Sequence, residues 1–344
     1  MAKNNKQKSN TNSSNASASA FGWDFQTNAA ILLMLENMQH AKSVKVEAQT
    51  EDIEITLDNN NIIYSQAKSL ENINSTSNLL SKLKEGIRTL NNAYNNGNAE
   101  SLIYITNHSN PFNDKQSIQY FIGRTKLSYE DLTDKCKEKI IKIINKNHYT
   151  IDKSKLKIYV LPFHGTSRDN KDKAIKEAVA EFLEQLEINV SYTPKRMLEI
   201  WQRDFFNNAT IPNSAIQIKK KDMMWALIAE ACNFDNTDKY LEDCDEAIIG
   251  EIEHKYNTII DNTIEEFLFT NKVLNDFAYY NNRLSWRERK EKFINEQYVN
   301  YLEEFNVGNI DEYTKICLIK VILNRIICNR IIIDKIKKGA NICD

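Results

Sequence analysis

Glycine is scarce. Only eight occur in 344 residues, and neither GxxxxGK(S/T) nor GxGxxG is formed from them. That excludes the phosphate-cradling loops of the common nucleotide-binding folds, so any ATP-driven step would belong to a partner. Six cysteines stand at 136, 232, 244, 317, 328 and 343. With no CxxC pair and no Cys/His cluster they argue against a zinc module or a disulfide framework and suit a reducing cytoplasm. The opening MAKNNKQKSNTNSSNASASA has no apolar signal-peptide core, and nowhere does the chain reach the roughly 18 uninterrupted apolar residues of a membrane span. A soluble cytoplasmic protein with no membrane contact is expected. Net charge is only −2 with a pI near 6.3, so any nucleic-acid contact must come from local patches.

What is present suits two domains. Residues 1–20 are Asn, Ser, Lys and Ala without an apolar period and are read as a disordered tail. From FGWDFQTNAAILLMLENM, Phe25, Ala29, Ile31, Leu32, Leu33 and Leu35 predict a mostly buried helix over about 23–39. SVKVEA, DIEITL and NIIYSQAK predict a three-stranded meander, with LDNNN supplying a connection tolerant of left-handed backbone. A helix over STSNLLSKLKEGIRTLNNAYNN follows. Then come the strands SLIYITN and KLKIYVLPF, separated by a helical EDLTDKCKEKIIKIINK. After about residue 190 helical patterns take over, ending in EYTKICLIKVILNRIICNRIIIDKIKK. The expected architecture is an α/β N-terminal domain over 21–190, a mixed central sheet flanked by helices, followed by an all-α domain over 191–344.

The polar residues of the meander carry the chemistry. If Asp52 begins one strand and Gln66 and Lys68 lie on its antiparallel neighbour, period-2 geometry puts Gln66 and Lys68 on one face and Asp52 and Glu54 on one face. With the turn centred near Asn60, positions 52 and 68, or 54 and 66, come out opposite. Asp52 could then hold a Mg²⁺ or Mn²⁺ ion, Gln66 could offer its side-chain oxygen, and Lys68 could position a water or steady a phosphate. Glu47 on the preceding strand is a further candidate ligand, and Gln26 and Glu36 on the first helix could reach the edge. The competing reading is a solvated charged hairpin. Against it, Ile53, Ile55 and Leu57 form an apolar face, and a lysine in a buried strand needs a partner or a function.

In their order, FGWDFQ…ILLMLEN, VEAQTEDIEI and IIYSQAKS resemble the double-stranded-DNA endonuclease domain of bacterial anti-phage defence, a branch of the restriction-endonuclease-like PD-(D/E)xK superfamily. That branch includes the nuclease half of CBASS effectors with SAVED sensors and the nuclease subunit of Lamassu systems. The matching residues are Gly22, Gln26, Glu47, Glu51, Asp52, Ile53, Gln66 and Lys68. The resemblance covers about residues 21–200 and implies that Asp52, Gln66 and Lys68 form a catalytic core. Where the superfamily usually has Glu-x-Lys this chain has Gln-x-Lys, a lost carboxylate that Glu47 or Glu54 could offset. No SAVED signal occurs in the helical half. The resemblance therefore implies a Lamassu-like effector that cuts double-stranded DNA beside an SMC-like ATPase and a small accessory subunit, self-associating when active. An inactive nuclease-fold interaction subunit and an RNase of the same fold are the alternatives.

Residues 134–176 carry twelve Lys/Arg against five Asp/Glu, an excess of seven (12 − 5), and are a candidate phosphate-backbone contact. Residues 230–270 carry twelve acids and two lysines, a balance of −10 (2 − 12), which suits a protein contact or a solvated helix. His108 and His164 follow predicted strands and read as structural loop residues. The broad apolar stripe from Ile316 to Ile333 is either a buried core helix or one shared with another subunit.

Overall fold

The computed structural model describes residues 13–48, 51–188, 193–211, 213, 215–232, 267–304 and 310–342. The chain forms two compact units, one of Met1–Val179 with Trp201–Ile218, the other of Ala180–Ile200 with Lys219–Asp344. A single boundary near 190 is thus replaced by a chain that enters the second unit, returns and leaves again. Among the described residues no helix is long and apolar enough to cross a membrane.

In the first unit, helix α1 (Ser13–Glu36) begins inside the segment read as a tail. Residues 1–12 of that segment lie outside the described residues. Its centre, Ala29 to Met34, is buried all round; the helix packs on the strands of the meander and also meets residues 202 and 206, with Gln202 donating to Asn28 at 2.8 Å and Phe206 against Trp23. The meander consists of β1 (Ala41–Val46), β2 (Ile53–Leu57) and β3 (Ile62–Lys68), paired antiparallel as the alternation predicts. Helix α2 (Leu79–Asn95) then carries the chain to β4 (Ala99–Thr106), which lies parallel to β3. Beyond β4 come β5 (Thr125–Ser128), α3 (Asp134–Asn147) and β6 (Leu156–Val160), with β6 parallel to β4 and antiparallel to β5. The sheet order is β5-β6-β4-β3-β2-β1-β7, where β7 is the two-residue strand Ile218–Lys219. This is the expected mixed sheet flanked by helices, with two short strands, β5 and β7, that no alternation announced.

Strand β3 is buried on both faces, with Ile63, Tyr64, Ser65, Gln66 and Ala67 all inaccessible. One face lies under α1. The other joins Leu83, Ile87 and Leu90 of α2 in a core that also holds Tyr64, Leu102, Tyr104 and Ile158. Helix α2 comes close because residue 86 is glycine: a Cβ there would stand 2.4 Å from Tyr104 Cδ2.

Helices α4 (Arg168–Gln185) and α5 (Thr193–Ala209) follow β6, and the division between the units falls within both. The described helices that follow in the second unit are α6 (Lys220–Cys232), α7 (Phe267–Tyr279), α8 (Trp286–Gln297), α9 (Glu312–Cys328) and α10 (Arg330–Gly339). Caps set two starts: Ser285 and Glu288 form a reciprocal capping box on α8, and Asp311 accepts from the Thr314 amide of α9 at 2.9 Å. The C-terminal stripe divides at Asn329 into α9 and α10. Leu318, Ile319, Ile322, Leu323, Ile326, Ile327 and Ile333 are fully buried inside this unit, so most of the stripe is core. Most of the acidic stretch, 233–266, lies outside the described residues.

Candidate active site

The turn between β2 and β3 sets the site's register. Leu57 N donates to Asn61 O at 2.8 Å and Asn60 N to Leu57 O at 2.9 Å, with Asn60 in the left-handed region at φ 63°. The turn is therefore centred one residue earlier than expected. Glu54 pairs with Tyr64 and Ile53 with Ser65, which carries Asp52 opposite Gln66 rather than Lys68. The expected pairing of Glu54 with Gln66 is corrected on the same ground: Glu54 stands between Lys45 of β1 and Tyr64 of β3. The shift is by two residues, so the faces are unchanged.

At this end of the sheet Asp52 Oδ2 accepts from Ala67 N at 2.9 Å and from Gln66 Nε2. The other end of the Gln66 amide, Oε1, accepts from the Thr89 hydroxyl of α2 at 2.6 Å. Gln66 thus turns its nitrogen, not its oxygen, toward Asp52. Lys68 Nζ pairs with Glu85 Oε1 of α2 at 3.1 Å. Glu47 has a left-handed backbone, φ 52°, and its amide closes on Asp52 O at 2.8 Å, so its side chain belongs to the same strand end. Glu36 does not join them: Lys126 and the Tyr159 hydroxyl take its carboxylate.

The least expected member is Glu51. It is 3% exposed, and neither carboxylate oxygen has a hydrogen-bond partner among the described residues. Burial, reinforced by the charges of Asp52 and Glu54, pushes its carboxyl up to about 8, against smaller opposing effects of Lys68 and the nearby Thr89 hydroxyl. Burial likewise pushes Asp52 up to about 6, with Lys68, the Ala67 amide and the Gln26 side chain opposing and Glu47 adding to the rise. Gln26 Oε1 is itself buried without a partner among the described residues. A second lysine, Lys82 of α2, stands behind Lys68 and donates to Ser69 O at 3.0 Å; burial first and Lys68 second lower its pKa.

The carboxylates of Glu47, Glu51 and Asp52 offer oxygen, as Mg²⁺ or Mn²⁺ requires, and both buried oxygens of Glu51 have no hydrogen-bond partner among the described residues. Among the described residues no three His, Cys, Asp or Glu side chains are already gathered as a cage. The fit is therefore one of chemistry and partial assembly, centred on Glu51 and Asp52.

The basic region is largely occupied within its own domain. Lys137 donates to Glu130 O, Lys139 to Phe112 O and Lys155 to Ala99 O, while Arg168 and Lys171 pair with Asp24 and Lys176 with Asp169. His108 is buried and accepts from the Asn110 amide at 2.9 Å, a loop-structuring role. Comparison with protein-family models, curated proteins and solved structures finds no match to this chain.

Proposed function

We propose that the first unit is a divalent-metal-dependent phosphodiesterase acting on double-stranded DNA, centred on Asp52, Gln66 and Lys68 with Glu51 as an additional acid. The observation that carries this reading is Glu51. A strand-end latch would account for Asp52, which accepts from Ala67 and Gln66, and pairing with Glu85 would account for Lys68. Neither gives a reason to bury a second carboxylate whose oxygens have no hydrogen-bond partner among the described residues. A bound Mg²⁺ or Mn²⁺ would polarise a phosphate and lower the pKa of an attacking water. Glu51 and Asp52 would hold the ion, with Glu47 at the rim. Lys68 would supply positive charge to the phosphate, and the cation would draw Glu51, raised by burial, into its carboxylate form as a ligand.

The defensive setting, with an SMC-like ATPase, a small accessory subunit and self-association for the double-strand break, rests on the resemblance drawn from the motifs. Mutual pairing of Gln66, Asp52, Lys68 and Glu85 favours one competing reading, an interaction subunit without catalysis. The test is plasmid cleavage by the full chain, alone and with its partner subunits, with Mg²⁺, Mn²⁺ or EDTA and with RNA in parallel. Divalent-dependent linearisation, lowered at least about 100-fold in Asp52→Asn and Lys68→Ala at unchanged melting temperature, is the expected result. Undiminished cleavage in those variants would overturn the assignment, and cleavage of RNA alone would move the substrate class.

A further inference from the structure

Thr89 lies one turn beyond Glu85 on α2, and its hydroxyl touches the amide of Gln66, which can present either an oxygen or a nitrogen to Asp52. Oγ1 is 2.6 Å from Gln66 Oε1, 3.0 Å from Gly86 O and 3.4 Å from Glu85 O. A hydroxyl has one proton and two lone pairs, so only one acceptor among these oxygens and the nearby Glu51 carboxyl can receive the proton as a full bond, and the 2.6 Å distance gives it to Gln66. The terminal torsion of glutamine is broad and roughly two-fold, so its amide can turn over within the same envelope.

Two arrangements satisfy this inventory. In the one present, Thr89 donates to Gln66 Oε1 and Gln66 Nε2 donates to Asp52 Oδ2. With the amide turned, Nε2 donates to Thr89 Oγ1, the hydroxyl donates to Gly86 O instead, and Oε1 faces Asp52. The second sets two oxygens against each other and is unfavourable unless a positive charge lies between them. The hydroxyl makes one strong bond to its neighbours in the first arrangement and two in the second.

We propose that Thr89 is a positioning residue for Gln66: a donor-acceptor pivot that keeps the amide nitrogen on Asp52 in the metal-free site and lets the amide oxygen turn to a bound divalent cation. This rests on the metal-dependent reading above. It also explains why a glutamine can stand where a second carboxylate is usual, since the turned amide supplies the missing oxygen. Gly86 contributes its carbonyl as the alternative acceptor, and its missing Cβ lets α2 come near enough, with Gln66 Cγ 3.6 Å from where that Cβ would be.

The experiment is Mn²⁺ binding to the full chain, followed by the loss of the free-ion paramagnetic signal, in wild type, Thr89→Ser, Thr89→Val and Asp52→Asn. Melting curves would confirm the folded state. Because the hydroxyl makes one more hydrogen bond in the loaded arrangement, Thr89→Val should bind roughly three- to tenfold more weakly and Thr89→Ser like wild type. In a Gln66→Glu background both ends of residue 66 are oxygen and no turning is needed, so adding Thr89→Val should leave Mn²⁺ affinity unchanged. Equal affinity of Thr89→Val and wild type, or the same loss in the Gln66→Glu background, would overturn the pivot while Asp52-dependent binding keeps the metal reading. Wild type without Asp52-dependent Mn²⁺ binding would overturn both.

Discussion

Replacing Glu51 by glutamine should stabilise the protein, and do so more strongly as pH rises. Glu51 has an ordinary value of 4.5 and is held at about 8 in the folded chain. The unfolded state therefore loses this proton first. Folding stability is intact below pH 4.5, falls by about 1.4 kcal/mol per pH unit while only the unfolded chain is ionised, and levels off above about 8. The loss amounts to roughly 3 kcal/mol by pH 7. Asp52, raised from 3.8 to about 6, acts in the same direction at lower pH. Glu51→Gln removes the ionisable group while keeping the shape. Urea unfolding of both proteins at pH 4.5, 6, 7 and 8 should show near-equal stability at the acid end. The variant's advantage should grow to about 2–3 kcal/mol at pH 7, after roughly 1 kcal/mol for the uncompensated amide. Under the metal-dependent reading, Mg²⁺ should narrow that gap by stabilising wild type, more at pH 8 than at pH 6, because the ion competes with the proton. An advantage for Glu51→Gln that is constant across this range would show that Glu51 is not held protonated by its burial, and the argument for its role would fall.

Gly86→Ala places a methyl group 2.4 Å from Tyr104 Cδ2. It should cost about 1–3 kcal/mol in thermal unfolding and move α2 away from Gln66 and Lys68, which under the proposed function lowers cleavage as well. Lys45, 1% exposed with burial lowering its pKa, donates to Asn208 O at 2.8 Å and Ile211 O at 3.1 Å. Lys45→Met should cost about 2 kcal/mol or more by stranding both carbonyls, read by urea unfolding. Deleting 310–344 should leave the second unit aggregating, since it removes Leu318, Ile322 and Ile326 from the core, and Ile322→Ala alone should cost about 2–5 kcal/mol; a soluble, monodisperse truncated chain would contradict this.

The meander was legible because alternation in DIEITL and NIIYSQAK is a direct imprint of a half-buried and a fully buried strand. Its register was not, because three consecutive asparagines allow several turns, and only the hydrogen bonds from Leu57 and Asn60 choose among them. Candidates 52, 66 and 68 do gather at one end of the sheet, yet the partners that orient them, Thr89 and Glu85, come from a helix whose polar residues carry no mark of their target. Glu51 left no periodic signal, because β2 begins only at Ile53 and residue 51 lies in the bend before it, near Thr89 of α2. β5 is too short to show a period, and a stripe as broad as that of α9 cannot tell a core from an interface until its neighbours are known.

Taken together, the pairings at this end of the sheet form a site that neutralises itself. Gln66 donates a hydrogen bond to Asp52, Lys68 is matched by Glu85, and burial holds Glu51 toward its protonated form. A cation entering here must displace the Gln66 nitrogen and at neutral pH also the proton of Glu51, so its apparent affinity is reduced by the free energy of those exchanges. Raising the pH removes one of the two costs, and relaxing α2 by an outside contact could remove the other, since Thr89 and Glu85 are both on that helix. Under the proposed function, weak metal binding in the isolated chain that strengthens toward pH 8 and on assembly would be a physical means of keeping a DNA-cutting site silent. Mn²⁺ titrations of the chain at pH 6 and 8, with and without the proposed partner subunits, measure both contributions separately. An affinity that is tight at pH 6 and indifferent to assembly would show that these pairings restrain nothing.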